Sequence, residues 1–517
     1  MKLLKHLTTF NSHRLTSRWV KLTVIMAVLT GTLTPSLLKT TMAQAPTEAY
    51  CRLSANLVNQ KEQLRQAALT GDAQAQRAYQ NVLNEHARIL GECRMRTWPR
   101  TQAIWLRLYP CDARPGALQR LLDDIVNKGY NAIYVEAFYD GQVLLPAANN
   151  PTAWPSVIRT PGMENVDLLA QALEEGKRRG LKSYAWVFTV NFGYTYAQRT
   201  DRQGVLALNG AGETTLSMIA DNESLHDQLG ESFANHAFVD LYNPQAQRDY
   251  QVMIYEILKR QPQGVLFDYV RYPRGLGAAS VAGNVKDLWI YGQASQEVIL
   301  NRALHPKGRE LLELYVKNGY LTDDQIKAIR EKYPDVKTPL WQDKTVLPAL
   351  EKLEPLPVSN TREQLWFLSV AHAMQGIVDF VKAGALPVQS RGLPAGAVFF
   401  PDGNQRVRER GFDSRLQPWD QFPANMEFHP MLYGACGINN TSCIEERLRR
   451  VLTMGPANAK IIPALAGLWG QPFSNRPSLE RQMQMIQQVA PQINAVSHFA
   501  YDWQEIEITK QRKTCNR

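Results

Sequence analysis

Eight apolar segments alternate with helical patterns from residue 103 onward, and this alternation constrains the fold more than any other feature of the chain. The segments are short, rich in aromatic and β-branched residues, and followed by turn residues, as buried strands are. The predicted strands are 103–109, 131–138, 182–192, 264–272, 396–401, 426–434, 460–467 and 495–503, and the predicted helices are 116–128, 166–179, 245–260, 362–383, 442–453 and 478–490. Alternating strands and helices form a parallel sheet, and eight such strands predict an α/β fold of the (β/α)₈ TIM-barrel type.

Two helical regions fall outside this alternation. Apolar residues recur at helical spacing over 52–69 and 73–90, which predicts an N-terminal helical hairpin within residues 44–100. Residues 274–360 follow the fourth strand and are predicted to form a helical insertion in a barrel that occupies 101–517. Because this insertion and other long connections follow strands, they belong to the face on which barrel enzymes keep their active sites.

The N-terminal residues have the pattern of a secretory signal. A basic leader, an apolar run over 22–38 and small residues before Gln44 predict a signal peptide over 1–43 that is cleaved after Ala43. An uncleaved membrane anchor is the alternative, because the apolar run is only slightly shorter than a membrane span. Cleavage removes six basic residues and no acid, so six of the +10 formal charges leave and +4 remain. That charge is too small to favour nucleic acid as a partner. The sequence therefore predicts a secreted or periplasmic protein with no stable membrane insertion after cleavage.

The chain contains six cysteines, all of which follow the leader. An even number of cysteines is typical of a protein that folds in an oxidising compartment. The sequence contains no CxxC pair with a partner, which argues against a structural zinc site. Fifteen pairings are open. In one of them, Cys51 pairs with Cys93 across a helical segment, and Cys436 pairs with Cys443 across a short loop. Cys111 then pairs with Cys515, which joins the end of the first strand to the tail.

Acids and aromatic residues collect at the predicted C-terminal ends of the strands. Such a mixture is typical of a sugar site, because aromatic rings stack on the CH faces of sugars while carboxylates bind hydroxyl groups. A glycosidase needs one protonated carboxyl for the leaving oxygen and a second carboxylate as nucleophile or base. The predicted catalytic residues are Asp268, with Glu136, Asp402 or Asp502 as the second carboxyl. The predicted substrate-binding residues are Trp186, Asn191, Arg271, Tyr272, His429, Tyr433 and Trp503.

The acidic candidates each have a structural alternative. Asp268 could form an ion pair with Arg271 at the end of its strand. Glu136 could pair with Arg107 or Arg271 inside the barrel. Asp402 precedes a glycine, where a turn is the simpler explanation.

Asp140 and His429 also have structural alternatives, and the sequence argues against a metal site. Asp140 precedes Gly141, which favours a turn over catalysis, and His429 could be a hydrogen-bonded core residue. A metal-dependent amidohydrolase barrel would carry a His-x-His pair in the first strand, where this chain has Arg107-Leu108-Tyr109. The chain also contains no phosphate loop, dinucleotide-binding glycine motif or Gly-x-Ser-x-Gly elbow. We therefore expect no catalytic metal and no cofactor.

Several segments of the barrel resemble the family-10-like glycosyl hydrolases. These segments are Ile104-Trp105-Leu106, 129–136, 179–187, 240–244, 264–273, Met431-Leu432-Tyr433 and 499–503. The resemblance covers nearly the whole barrel and is most specific in the fourth strand. It implies a (β/α)₈ fold and hydrolysis of glycosidic bonds in an extracytoplasmic polysaccharide, with bacterial cell-wall glycan as a candidate substrate.

The chain departs from this family at two positions. Members usually carry Asp-Asp-Tyr in the fourth strand, where this chain has Phe267-Asp268-Tyr269. The seventh strand contains no carboxylate, so the fourth-strand and seventh-strand acid pair of many barrel glycosidases is absent from this sequence. Two functions are therefore predicted: a glycoside hydrolase centred on Asp268, or, as the alternative, a catalytically inactive glycan-binding barrel.

Overall fold

The computed structural model describes residues 50–220, 235–336, 339–342, 361–409 and 411–515. The predicted signal peptide with its cleavage site after Ala43, and part of the predicted insertion, lie outside the described residues. Within the described ranges, no helix is both long and apolar enough to cross a membrane.

Eight parallel strands of the described chain form the barrel. They are β1 Thr101–Leu106, β2 Ala132–Tyr139, β3 Lys182–Phe188, β4 Val265–Asp268, β5 Ala395–Phe399, β6 Glu427–Pro430, β7 in two parts, Lys460–Ile461 and Ala464–Ala466, and β8 Ala495–Phe499. Each strand pairs with the next in chain order, and β8 pairs with β1. The sheet is therefore closed, as a barrel requires.

The seventh strand closes the barrel in two steps. Its first part pairs with β6 and its second part pairs with β8. Pro463 lies between the two parts and has no N–H to donate, so the ladder is interrupted there. A bridge between Met431 and Ala464 keeps β6 in contact with the second part.

Helices surround the barrel and form the predicted additions to it. They are α1 Ala55–Leu69, α2 Ala73–Arg96, α3 Ala117–Asn127, α4 Leu168–Arg178, α5 Tyr194–Ala197, α6 Thr215–Ala220, α7 Pro244–Leu258, α8 Gln293–Leu300, α9 Pro306–Asn318, α10 Asp323–Lys332, α11 Thr361–Gln389, α12 Ser442–Met454, α13 Leu479–Val489, α14 Tyr501–Gln504 and α15 Ile506–Thr514. The predicted (β/α)₈ barrel is confirmed, with α1 and α2 as its N-terminal hairpin and α8 to α10 in the insertion after β4.

The strands are shorter at their C-terminal ends than the sequence predicted. β3 ends at Phe188 and β4 ends at Asp268, and residues 501–504 form α14 instead of continuing β8. The residues beyond these ends are largely aromatic or β-branched and therefore have the β propensity of a strand. In β4 the break is conformational, because Tyr269 adopts a left-handed backbone with φ of 51°.

Buried charges fix the hairpin to the barrel helices. Asp123 of α3 accepts hydrogen bonds from the Tyr79 hydroxyl at 2.7 Å and from Arg179 Nε at 2.9 Å. Lys61 Nζ lies 3.8 Å from the same carboxylate. The Lys61 and Arg179 side chains are each only 1% exposed. One carboxylate therefore lies between two buried cations at the hairpin interface, and Arg179 also pairs with Glu175.

Three disulfides join the six cysteines. They are Cys51–Cys93, Cys111–Cys515 and Cys436–Cys443. The first joins Cys51, which precedes α1, to Cys93 of α2. The second joins the loop after β1 to the residue that follows α15. Three structural disulfides fit a protein that folds in an oxidising compartment.

Candidate active site

Asp268 is the last residue of β4 and is 8% exposed. Its carboxylate accepts hydrogen bonds from the Tyr269 backbone N–H at 2.7 Å and from Trp186 Nε1 at 3.1 Å. Burial raises the pKa of Asp268 to about 6, although both hydrogen bonds and the charge of Arg271 act in the opposite direction. Asp268 is therefore a carboxyl group that keeps its proton in mildly acidic solution.

The strand register places Trp186 beneath Asp268. Trp186 of β3 pairs with Leu266, whereas Asp268 pairs with Phe188, two residues closer to the C-terminal end of the barrel. The indole of Trp186 is 4% exposed and packs edge-on against Trp105 at 4.8 Å between ring centroids. The tightly packed indole of Trp186 therefore lies below Asp268 and holds its carboxyl group in position.

A half-buried aromatic wall stands on the β6 to β8 side of Asp268. The ring of Phe499 lies 5.4 Å from that of Tyr433 and 5.3 Å from that of Trp503. The Trp503 ring is also 6.0 Å from Phe473. Burial raises the pKa of Tyr433, and the charge of Asp268 adds to the rise, so Tyr433 lies near the carboxylate. The predicted residues Tyr433 and Trp503 thus pack on the same ring, that of Phe499, and Tyr433 is the one that interacts with Asp268.

Asp140 reaches the opposite side of Asp268 through Tyr269 and His236. Asp140 has a left-handed backbone, with φ of 44°, in the turn after β2. Its Oδ1 lies 3.6 Å from His236 Nε2, which is 3.4 Å from the hydroxyl of Tyr269. Burial raises the pKa of Tyr269, and the charges of Asp268, Asp140 and Glu136 raise it further. The Tyr269 hydroxyl therefore connects His236 and Asp140 with the end of β4.

Two loop contacts position Asp140 and His236. Gly141 lies against Gly193 so closely that a Cβ on Gly193 would come within 2.1 Å of the Gly141 nitrogen. Asn191 Oδ1 accepts hydrogen bonds from the backbone N–H groups of Gly193 at 3.1 Å and Ala237 at 3.0 Å. Asn191, predicted to bind substrate, is buried and instead connects the loop segments on either side of His236.

Glu136 is paired as the structural alternative predicted. Arg107 donates two hydrogen bonds to its carboxylate, the one from Nη2 at 2.9 Å, and the glutamate side chain is 0% exposed. Burial raises the pKa of Glu136, and the charge of Arg107 opposes that rise. The pair closes the β1 and β2 side of the mouth and leaves the carboxylate without access to solvent.

Asp502 is held by the C-terminal helix. Its carboxylate accepts hydrogen bonds from the Tyr109 hydroxyl, from Thr509 Oγ1 at 3.2 Å and from Arg512 Nη1 at 3.3 Å. Arg512 also binds Asp112 with two hydrogen bonds, at 2.9 and 2.8 Å. The structure therefore uses Asp502 to fix α15 across the end of β1.

Asp402 lies in the turn after β5, as its alternative predicted. Arg415 Nη2 is 3.2 Å from its carboxylate. Burial by itself would raise the pKa of Asp402, but Arg415 and Arg447 lower it overall, so the carboxylate is ionised. An ionised carboxylate has the charge state of a base or nucleophile, but this one is already paired with Arg415.

The remaining predicted residues, Arg271, Tyr272 and His429, lie at different depths in the barrel. Arg271 lies at the mouth, with its guanidinium carbon 4.6 Å from the ring centroid of Tyr269. Tyr272 is 1% exposed, and burial, followed by Tyr242 and Asp240, raises its pKa, which places it behind the β4 end in the core.

His429 lies inside the barrel below the candidate site. Its ring is 0% exposed, 3.5 Å from Glu427 Oε2 and 5.6 Å from the Tyr134 ring. The structure therefore corrects the predicted contacts of Tyr272 and His429 with substrate, because protein atoms enclose both side chains. Sequence reasoning missed His236, which lies in a loop without periodicity. Among the described residues, no group of three or more His, Cys, Asp or Glu could hold a metal ion.

No protein-family model and no curated protein sequence matches the chain. Among solved structures, it is similar to the glycoside hydrolase domain of PgaB (BpsB) from Bordetella bronchiseptica, with 15% identity over 80% of this chain and 98% of that chain, and a TM-score of 0.43. It is also similar to the β-galactosidase of the psychrophilic Marinomonas ef1, with 12% identity over 78% of this chain and 54% of that chain, and a TM-score of 0.44. The pneumococcal exo-β-D-N-acetylglucosaminidase StrH, in its GH20 modules, shares 10% identity over 81% of this chain and 83% of that chain, with a TM-score of 0.38. Similarities of this degree carry no argument about activity, which is inferred below from the chain's own residues.

Proposed function

We propose that this protein hydrolyses glycosidic bonds in an extracytoplasmic glycan, with Asp268 as the general acid. The observation that carries the proposal is a buried carboxyl group with a pKa raised to about 6, fixed by two hydrogen bonds at the end of β4. A glycosidase uses such a carboxyl to protonate the leaving oxygen as the bond to the anomeric carbon breaks. The resemblance to the family-10-like glycosyl hydrolases supports the same reaction, and the predicted signal peptide and three disulfides support an extracytoplasmic location.

We further propose Asp140 as the second carboxyl group. Glu136, Asp402 and Asp502, the three candidates from the sequence, each form an ion pair with an arginine. In the described part of the chain Asp140 forms no ion pair with an arginine, and its side chain is 24% exposed, although its Oδ1 is buried and faces His236 Nε2 at 3.6 Å. It can therefore act on water or on the anomeric carbon, while His236 holds the carboxylate in place.

Replacing Asp140 with asparagine is expected to lower kcat by about 10²-fold, the lower end of the range for loss of an acid or base. The measurement is release of reducing ends; Asp140→Ala, which leaves the space of the carboxylate open, is measured beside it with and without added azide, a small anion that fits this space. Azide is expected to restore part of the turnover. Asp201→Asn is the control, because Asp201 pairs with Arg199 on an exposed surface. Full activity of Asp140→Asn would assign the second role elsewhere.

The rate is expected to fall as pH rises through about 6. Asp268 must carry its proton to act as the acid, and a carboxyl with a pKa of about 6 is protonated below that pH and ionised above it. The rate should then fall about tenfold per pH unit well above 6, as one required proton is lost. The measurement is kcat/KM from pH 4 to 9, with folding checked at each pH. A rate that rises through pH 6 would show that Asp268 acts ionised.

The aromatic wall supports a sugar as substrate. Rings of Tyr433 and Trp503 are partly exposed, with Tyr433 beside Asp268, so the CH face of a pyranose could cover them while its glycosidic oxygen faces the carboxyl. Covering about 60 Å² of apolar surface at about 25 cal/mol per Å² corresponds to about 1.5 kcal/mol, or roughly tenfold in affinity.

The test is incubation of the mature protein with cell-wall glycan, followed by measurement of new reducing ends. New ends that appear with the unaltered protein and not with Asp268→Asn would support hydrolysis. The alternative, a catalytically inactive glycan-binding barrel, is favoured by Phe267, which stands where the resembling family carries a second acid. Binding of the glycan without new ends would favour this alternative.

A further inference from the structure

A buried arginine at the mouth of the barrel has no carboxylate partner. The side chain of Arg271 is 7% exposed, and its guanidinium donates a hydrogen bond only to the backbone oxygen of Tyr272, at 3.0 Å, in the described part of the chain. Its flat faces contact aromatic rings, with the guanidinium carbon 4.6 Å from the centroid of Tyr269 and 5.5 Å from that of Phe400. The charge of Arg271 acts on Asp268, but no carboxylate of the described residues forms an ion pair with this buried guanidinium, so it remains able to bind an anionic group.

Two more arginines without ion pairs among the described residues lie beside the ends of β6 and β7. Arg476 Nε donates a hydrogen bond to the backbone oxygen of Tyr433 at 3.0 Å. Arg447 Nη1 lies next to Gly434, one residue further along. Each guanidinium is partly buried, and the charge of Arg447 lowers the pKa of Arg476, after the larger effect of burial, so the two cations are close together. Both are near the aromatic wall that adjoins Asp268.

Three other arginines around the mouth form ion pairs. Arg107 binds Glu136, Arg512 binds Asp112 and Asp502, and Arg415 binds Asp413 with two hydrogen bonds and pairs with Asp402. Among the described residues, arginines without an ion pair therefore lie beside the ends of β4 to β7; they include Arg450, whose guanidinium donates hydrogen bonds to the backbone oxygen of Pro401 at 2.8 Å and to Asn404 Oδ1 at 2.7 Å. A potential confined to one side of a cleft attracts and orients a ligand whose negative charge lies on one side of the molecule.

We propose that the glycan bound at this mouth is anionic, and that Arg271, Arg447 and Arg476 receive a carboxylate or phosphate group carried by the sugar. Guanidinium groups match both anions through paired N–H donors. This inference deepens the proposed function, since it names the substrate class for the same site.

The test compares three preparations of one cell-wall glycan: untreated, carboxyl-reduced, and stripped of phosphate. Binding is measured with the Asp268→Asn protein, and reducing ends are measured with the unaltered protein. The untreated glycan is expected to bind roughly tenfold to a hundredfold more tightly than one of the treated preparations, the range for a hydrogen bond to a charged group. The treatment that weakens binding identifies the anion. If the protein binds all three preparations equally tightly, or binds none of them, the inference is wrong.

Variants in the Asp268→Asn protein connect the effect to the arginines. Arg447→Gln and Arg476→Gln are each expected to weaken binding of the untreated glycan at least about tenfold. The ratio between the affinities for the untreated and the treated glycan is expected to fall as well. The control is Arg449→Gln, which removes an exposed arginine of the same helix that pairs with Glu445. An equal loss with Arg449→Gln would overturn the assignment.

The two measurements separate this inference from the proposed reaction. Charge-dependent binding without new reducing ends would leave the inference standing and contradict hydrolysis. Cleavage of all three preparations at equal rates would support hydrolysis and overturn the inference.

Discussion

Replacing Asp268 with asparagine is expected to lower kcat for glycan hydrolysis by about 10²- to 10⁴-fold. The amide has nearly the same shape, and its oxygen can still accept the hydrogen bond from the Tyr269 N–H; the bond from Trp186 is lost if the amide NH2 takes the other position, but the fold should be retained. What is lost is a proton on the group that faces the leaving oxygen. The measurement is reducing-end release by the purified variant, with thermal unfolding recorded beside it.

A change of leaving group tests the acid role directly. An aryl glycoside with a strongly acidic phenol needs no proton to depart, so Asp268→Asn should lose far less activity on it than on the natural glycan. Asp402→Asn is the matched control, since Asp402 is a mouth aspartate that pairs with Arg415, and its loss should stay below about tenfold. If Asp268→Asn loses the same factor on both substrates, Asp268 acts in some way other than proton donation.

The barrel could be predicted because its signal is periodic and repeated. Eight apolar segments separated by helical patterns admit few folds, and parallel strands align their C-terminal ends at one edge. Asp268 and Trp186 followed directly from this rule, because both lie on strands. The extents of the strands did not, because aromatic residues beyond Phe188 and Asp268 favour a strand locally, whereas tertiary contacts ended it.

The roles of the other acids depended on partners that are distant in the chain. Asp502 forms an ion pair with Arg512, and Glu136 forms one with Arg107. Nothing in the local sequence distinguishes such a paired carboxylate from a catalytic one. Asp140 was assigned to a turn, and it does occupy one, but His236, almost a hundred residues later, makes that turn part of the site. Contacts between loops have no periodicity, so sequence patterns do not reveal them.

Replacing Asp123 with alanine is expected to destabilise the protein by about 3–5 kcal/mol, the range for removing one partner of a buried ion pair. Asp123 lies between the hairpin and the barrel helices, where it pairs with Lys61 and Arg179 and accepts a hydrogen bond from Tyr79. Without the carboxylate, two cations with side chains 1% exposed remain buried without a full counter-charge. The measurement is the free energy of unfolding from denaturant titration, with disulfides intact.

A control on the exposed surface shows whether burial of the charges causes the loss of stability in Asp123→Ala. Glu85→Gln removes a carboxylate from the same hairpin, but Glu85 pairs with Arg88 in solvent, where both side chains are at least half exposed, so no measurable change is expected. A double variant, Asp123→Ala with Lys61→Met, should recover part of the lost stability, because it removes one of the uncompensated charges together with the acid. If the single variant unfolds like the unaltered protein, water reaches the interface and the hairpin is held by its apolar contacts and the Cys51–Cys93 disulfide instead.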